Sequence, residues 1–133
     1  MVSRENTQGA QSTEGSLKLI DRDNNTKFYT STYTTDFTVQ QILPTAVIAN
    51  SYLLTSGNDA PARDPKDWIL EGSADGNSWH TLDTKTNQRF AYRNEIRVID
   101  FANTTAYKYY RLRITANAGS SDMQLSEWRL FKK

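Results

Sequence analysis

The sequence predicts an all-β domain, a sandwich of short antiparallel strands, from composition, periodicity and punctuation. Polar residues are skewed towards Thr, Ser and Asn, while aromatics reach 11% and hydrophobic residues 37%. That balance suits half-buried pleated surfaces better than helices. Apolar residues recur at period two, as side chains on alternate faces of a strand do, and no stretch shows a sustained helical stripe. Gly-, Asn-, Asp- and Pro-rich clusters fall between the alternating runs, and short strands with frequent turns describe a sandwich.

The first residues are polar and Gly-rich up to Leu17-Lys18-Leu19-Ile20, with a helical turn or short strand expected around Glu14-Gly15-Ser16. Strand character then appears at Phe37-Thr38-Val39-Gln40, and Gly57-Asn58-Asp59-Ala60-Pro61 forms a turn. Residues 68–83 read as a hairpin, because Asp75-Gly76 separates Trp68-Ile69-Leu70-Glu71 from Trp79-His80-Thr81-Leu82. Ile96-Arg97-Val98-Ile99 and Tyr109-Tyr110-Arg111-Leu112-Arg113-Ile114 follow, separated by Ala102-Asn103-Thr104. Leu112 and Ile114 are expected in the core, with Arg111 and Arg113 on the opposite face; Trp68, Leu70 and Leu130 join the same core. After the turn Asn117-Ala118-Gly119, the run Gln124 to Phe131 reads as one terminal strand, paired near the first.

The 133 residues fit one domain, 1–133, large enough to bury a core without cross-links. Sixteen basic and 15 acidic side chains leave a net charge of +1, too little to steer the chain onto nucleic acid or an anionic membrane. The absence of cysteine excludes disulfides, thiolate nucleophiles and Cys-ligated metals. Mean hydropathy is −0.71, and no apolar run approaches the roughly 20 residues of a membrane-spanning helix. Met1-Val2-Ser3-Arg4-Glu5 lacks the apolar segment of a signal peptide and reads as an initiator on a piece of a longer protein.

Catalytic chemistry finds no constellation in the sequence. The single histidine, His80, lies in the hairpin with no local nucleophile signature around it, and reads as a solvent-facing strand residue. The aspartates sit mainly in turns, where turn formation is their default role, and the scattered glycines build no phosphate loop. One loop stands out: from Lys18 to Phe28, Asp21, Asp23, Asn24, Asn25 and Thr26 crowd oxygen atoms together. Calcium takes about 6–8 oxygens and would need a further carboxylate from elsewhere. The mid-loop glycine of an EF-hand is missing. Two readings stand: a calcium loop, or an Asx-turn loop that binds nothing.

Leu19-Ile20-Asp21 through Thr26-Lys27-Phe28, Trp68-Ile69-Leu70-Glu71-Gly72-Ser73-Ala74-Asp75-Gly76-Asn77-Ser78-Trp79, Tyr109-Tyr110-Arg111-Leu112 and Gln124-Leu125-Ser126-Glu127-Trp128-Arg129-Leu130-Phe131 stand in one order over nearly the whole chain. Together they resemble the discoidin, or coagulation-factor type C, domains and within them the family 32 carbohydrate-binding modules of bacterial glycan-degrading proteins. Phe28 stands where the family commonly has Trp. The resemblance implies an antiparallel jelly-roll β-sandwich of the galactose-binding-like superfamily. It also implies one structural calcium between the early loop and the last strand, held by the Lys18 carbonyl, Asp21, Asp23, Thr26, the Ser126 carbonyl and Glu127.

It further implies a non-catalytic module that binds carbohydrate through loops at one end, as a monomer beside other domains of a secreted or cell-surface glycan-active protein. Candidate sugar contacts are Asn58, Asp59, Arg63, Asp64, Tyr92, Arg93 and Asn117, with Tyr33 beside them. A planar guanidinium can donate two hydrogen bonds to neighbouring hydroxyls, and Asp or Asn can accept or share them. Other roles stay open for the same residues: an Arg63-Asp64 ion pair bracing the loop, Asn117 as a turn former, the tyrosines as core. The membrane-inserting discoidin branch is disfavoured, because the loops at 57–67, 84–91 and 117–122 are polar apart from Phe90. A structural or protein-binding spacer is the alternative function.

Overall fold

The computed structural model describes residues 1–33 and 36–133. Among the described residues nine strands form: β1 (Phe28–Thr30), β2 (Phe37–Val47), β3 (Ser51–Thr55), β4 (Pro65–Ser73), β5 (His80–Lys85), β6 (Ile96–Asp100), β7 (Tyr107–Asn117), β8 (Met123–Leu125) and β9 (Glu127–Phe131). Short 3-10 helices occupy Ser16–Ile20 and Pro61–Arg63. The strands make sheets ordered β2-β7-β4-β5 and β6-β3-β9, plus the pair β1-β8. Every pairing is antiparallel, as the sequence predicts.

One core lies between the sheets. From the four-stranded side come Phe37 and Val39, Trp68 and Leu70, and Tyr110, Leu112 and Ile114; from the three-stranded side come Tyr52, Leu54, Ile99 and Trp128. Leu112 faces Val39 and Leu70 on its flanking strands, which is the alternation read from the sequence. Leu130 packs at the margin of this core. Trp68 Nε1 donates to the Tyr52 hydroxyl at 2.8 Å, which donates to Asp83 at 2.7 Å, so the polar atoms of Trp68 and Tyr52 are satisfied within the core. Phe28 is fully buried and stacks on Phe37 at 5.9 Å.

Three local expectations are revised. The hairpin at 68–83 forms, but its connection runs through residues 74–79. The Ser73 hydroxyl accepts from Gly76 N and Asp75 accepts from Asn77 and Ser78 N, while Gly76 takes φ +80°, a conformation open to glycine. The run from Gln124 to Phe131 is two strands, because Ser126 breaks it. Its N–H donates to Thr55 O at 2.8 Å and its hydroxyl to Ser56 O at 2.9 Å, so β8 pairs with β1 while β9 pairs with β3. The N-terminal residues, which carry no strand signal, add to the edge of β2: Ser3 N donates to Thr38 O and Gln40 N to Met1 O.

Candidate functional site

The oxygen-rich loop follows the first 3-10 helix and leads into β1. It is organised by its own side chains. Asp21 accepts from Asp23 N at 3.0 Å and from the Thr26 hydroxyl at 2.5 Å, and Asp23 accepts from Asn25 N at 2.8 Å. Glu127 meets this loop from the start of β9, where its Oε2 accepts from Arg22 N at 3.2 Å and from Arg129 Nε at 2.7 Å. Glu127 is fully buried, and its Oε1 has no hydrogen-bond partner. Burial, helped by the nearby Asp21 charge, pushes the Glu127 carboxyl up against the pull of Arg129.

An orphaned buried carboxylate oxygen beside a second carboxylate fits a hard cation. Among the described residues no three acidic, His or Cys side chains converge as a metal cluster, so a cation here would draw on backbone carbonyls. The helix that carries Lys18 packs on β9, and Ser126 immediately precedes Glu127. Asp23 is exposed and caps the loop.

The predicted sugar residues gather at the end of the sandwich formed by the β3–β4, β5–β6 and β7–β8 connections, and the second 3-10 helix divides them between two faces. On one face Arg63 lies over the Tyr29 ring at 4.9 Å, about 4.0 Å from both Asp59 and Asp122. The Tyr29 hydroxyl donates to Asp122 at 2.8 Å. Lys27 donates to Asp59 and to Gln124, both at 2.8 Å, and its hydrogen bond holds the Asp59 carboxyl below its ordinary range. Asp59 remains exposed and Arg63 partly so, leaving hydrogen-bonding atoms for a ligand.

On the other face Asp64 is almost completely buried against Arg93. The pair is bidentate, at 3.0 and 2.6 Å, and Arg93 also donates to Asp59 O at 3.1 Å. Burial pushes the Asp64 carboxyl up although Arg93 opposes it. Beside the pair runs a cleft of about 560 Å³, lined among others by Lys66, Asn87, Arg89 and Phe90.

Adjacent Arg63 and Asp64 therefore do not form a pair bracing the loop: each finds a partner on its own face. Asn58 and Tyr92 stand exposed, and Tyr92 is absent from the cleft wall. Asn117 acts as a turn former, its amide donating to Ser120 O and Asp122 O and its carbonyl accepting from Gly119 N. Tyr33 is half-buried, with its hydroxyl on Ile114 O at 3.3 Å. The sequence reading omits Lys27, Tyr29, Asp122 and Gln124. Tyr29 and Gln124 sit inside strands, where their type signals packing, and only the β1-β8 pairing brings them beside Asp59.

Residues 2–127 match the F5/8 type C domain. Among solved structures, CpGH89CBM32-5 from Clostridium perfringens, in complex with GalNAc-β-1,3-galactose, superposes with a TM-score of 0.82 at 16% identity, over 99% of this chain and 93% of that one. The C-terminal domain of a chitobiase from Bacteroides fragilis gives 0.79 at 16% identity, over 100% and 91%. The family 32 module of C. perfringens NanJ, in complex with galactose, gives 0.77 at 10% identity, over 99% and 91%. At these identities the likeness is one of fold. A stretch of 44 residues, 32% of the chain, is 64% identical to the peptide-N(4)-(N-acetyl-β-glucosaminyl)asparagine amidase of Arabidopsis thaliana and spans 6% of that protein's length.

Proposed function

This chain belongs to the F5/8 type C domain family, and from that premise we propose that it is a non-catalytic carbohydrate-binding module. The observation that carries the proposal is the loop end itself. Asp59, Arg63 and Asp122 set charged acceptors and donors side by side around Tyr29, on loops fixed from behind by the buried Asp64–Arg93 pair. Such groups match the vicinal hydroxyls of a sugar, and their anchoring lowers the ordering cost of binding. Structural neighbours in complex with galactose and with GalNAc-β-1,3-galactose support the same ligand class. We place the site on Asp59 and Arg63, with Asn58 and Tyr92 at its rim, and assign Asp64, Arg93 and Asn117 to holding the loops.

The module serves a larger glycan-active protein working outside the cell, holding it on its substrate. A calcium ion, coordinated by Asp21, Thr26 and Glu127 with the Lys18 and Ser126 carbonyls, ties the first loop to the last strand. Among the described residues no helix is long and apolar enough to cross a membrane.

A shallow polar site binds weakly, because each hydrogen bond nets about 0.5–1.5 kcal/mol after competition with water. Dissociation constants from tens of micromolar to millimolar, about −4 to −6 kcal/mol, are expected. Calorimetric titration with galactose, N-acetylgalactosamine and oligosaccharides containing them tests this. Arg63→Ala should abolish measurable binding while leaving the melting temperature within a degree or two. A folded domain that stays silent across a broad glycan panel defeats the proposal.

A further inference from the structure

One loop touches both the cation ligands and the sugar loops. Residues 21–27 carry Asp21 and Thr26, which meet Glu127 through Arg22, and they reach the loop end at two further points. The first is Lys27. Its side chain is only 11% exposed, and Nζ donates to Asp59 and to Gln124 at 2.8 Å, with Glu14 at 3.7 Å. The second is Asn24, which lies between Asp21 and Thr26. Its carbonyl accepts from Asn94 Nδ2 at 2.8 Å, and its side-chain oxygen accepts from the Thr55 hydroxyl at 2.7 Å. Asn94 belongs to the segment that braces Asp59: its own N–H donates to Gly57 O at 3.0 Å, and the preceding Arg93 donates to Asp59 O at 3.1 Å. Asn94 takes φ +54°, a left-handed conformation that asparagine adopts more readily than most residues. The loop between these points is lightly held. Asp21, Arg22, Asp23 and Asn25 are exposed, and hydrogen bonds such as Asp23 N to Asp21 and Asn25 N to Asp23 compete with water.

We propose that Asn94 and Lys27 are positioning residues that couple the two sites, so that a cation gripped by Asp21, Thr26 and Glu127 strengthens sugar binding without touching the sugar. This rests on the carbohydrate reading above and on its calcium, and adds the regulation of the site. Holding the loop fixes the Asn24 carbonyl and Lys27; through them it fixes the 92–95 segment and the Asp59 carboxylate. A loop already ordered by one ligand costs the other less to order. Linkage makes the effect reciprocal: sugar must raise the affinity for calcium by the factor by which calcium raises the affinity for sugar.

The experiment measures both affinities in both states. Galactose and N-acetylgalactosamine are titrated calorimetrically into calcium-loaded protein and into protein shown metal-free by elemental analysis, at a temperature where circular dichroism finds both folded. Sugar should bind about fivefold more tightly in calcium, the low end of coupling between sites. Calcium titrated with and without saturating sugar should give the same factor, a measurement that needs no variant. In the double variant Asn94→Gly/Lys27→Met, glycine accepts the positive φ and methionine keeps an unbranched stem, so the fold is preserved while both links are cut. In excess calcium this variant should bind sugar about fivefold more weakly than the unaltered protein, and chelation should no longer change its sugar affinity. Calcium should still raise its melting temperature, which separates positioning from a merely structural role. If sugar binds equally with and without calcium, or the variant keeps the full factor, the coupling falls while carbohydrate binding stands. If the folded, calcium-loaded protein binds neither these sugars nor any other glycan of a broad panel, both fall.

Discussion

Arg93 shows how one side chain can hold a site without belonging to it. Its removal, in Arg93→Leu, leaves Asp64 buried without a counter-charge, which should cost about 3 kcal/mol, the lower end for a buried pair because Arg93 is partly exposed. The cost should depend on pH with a definite sign. Burial already raises the folded-state pKa of Asp64 above its unfolded value, so protonation favours the fold. Without the guanidinium that pKa rises further. The variant's deficit should therefore be largest near neutrality and shrink as pH falls through the range just above ordinary carboxylates. Urea denaturation of both proteins across that range checks it, and a constant difference would mean that Arg93 does not act through Asp64. Leu112→Ala, at a fully buried position, should cost about 2–5 kcal/mol, measured the same way. Residue types at the loop end are legible in the sequence, but their partners are not. The 3-10 turn sends neighbours Arg63 and Asp64 to opposite faces, and Arg93 reaches Asp64 across a sequence gap of 29.

Strands follow from alternation more readily than strand partners do. In β4 the alternation stops at its end, where Glu71, Gly72 and Ser73 are all buried. Gly72 is there because a Cβ would lie 2.5 Å from the Tyr107 ring on the neighbouring strand β7. Gly72→Ala should destabilise the domain by about 1–3 kcal/mol through overpacking, read from its denaturation midpoint. Trimming the ring with Tyr107→Leu should recover part of the loss. If Gly72→Ala is neutral, the ring is free to move aside. The change of sheet at Ser126 leaves no trace in periodicity, since a strand that exchanges partners keeps the same alternation. It becomes visible only in the hydrogen bonds to Thr55 and Ser56. Residues 1–3 escape notice for a related reason: backbone groups make that pairing, and the side chains need no pattern.

At the scale of the molecule, Glu127 and the Asp21 loop join chain segments 105 residues apart, since Arg22 N donates to Glu127. Calcium held there would bind only the folded chain and add about 2.7 kcal/mol at a hundredfold excess over its dissociation constant. Chelation should lower the melting temperature, and Asp21→Ala should erase that response. Equal melting with calcium and chelator, in protein shown metal-free by elemental analysis, would exclude the ion. The oxygen-rich loop was legible as a calcium candidate. The unsatisfied Glu127 oxygen was not, because isolation in a core is a property of the packed chain. The two sheets and their shared core carry one further consequence, for biosynthesis. Met123, Leu125 and Trp128 supply core side chains from the last stretch of the chain, and β8 and β9 complete pairings with β1 and β3, laid down some 70 to 100 residues before. During translation, at about 5–20 residues per second, those earlier strands wait with apolar faces uncovered for several seconds. A nascent chain stalled at Asp122 should thus remain protease-sensitive, and one extended past Phe131 and clear of the ribosome should become resistant in a single step.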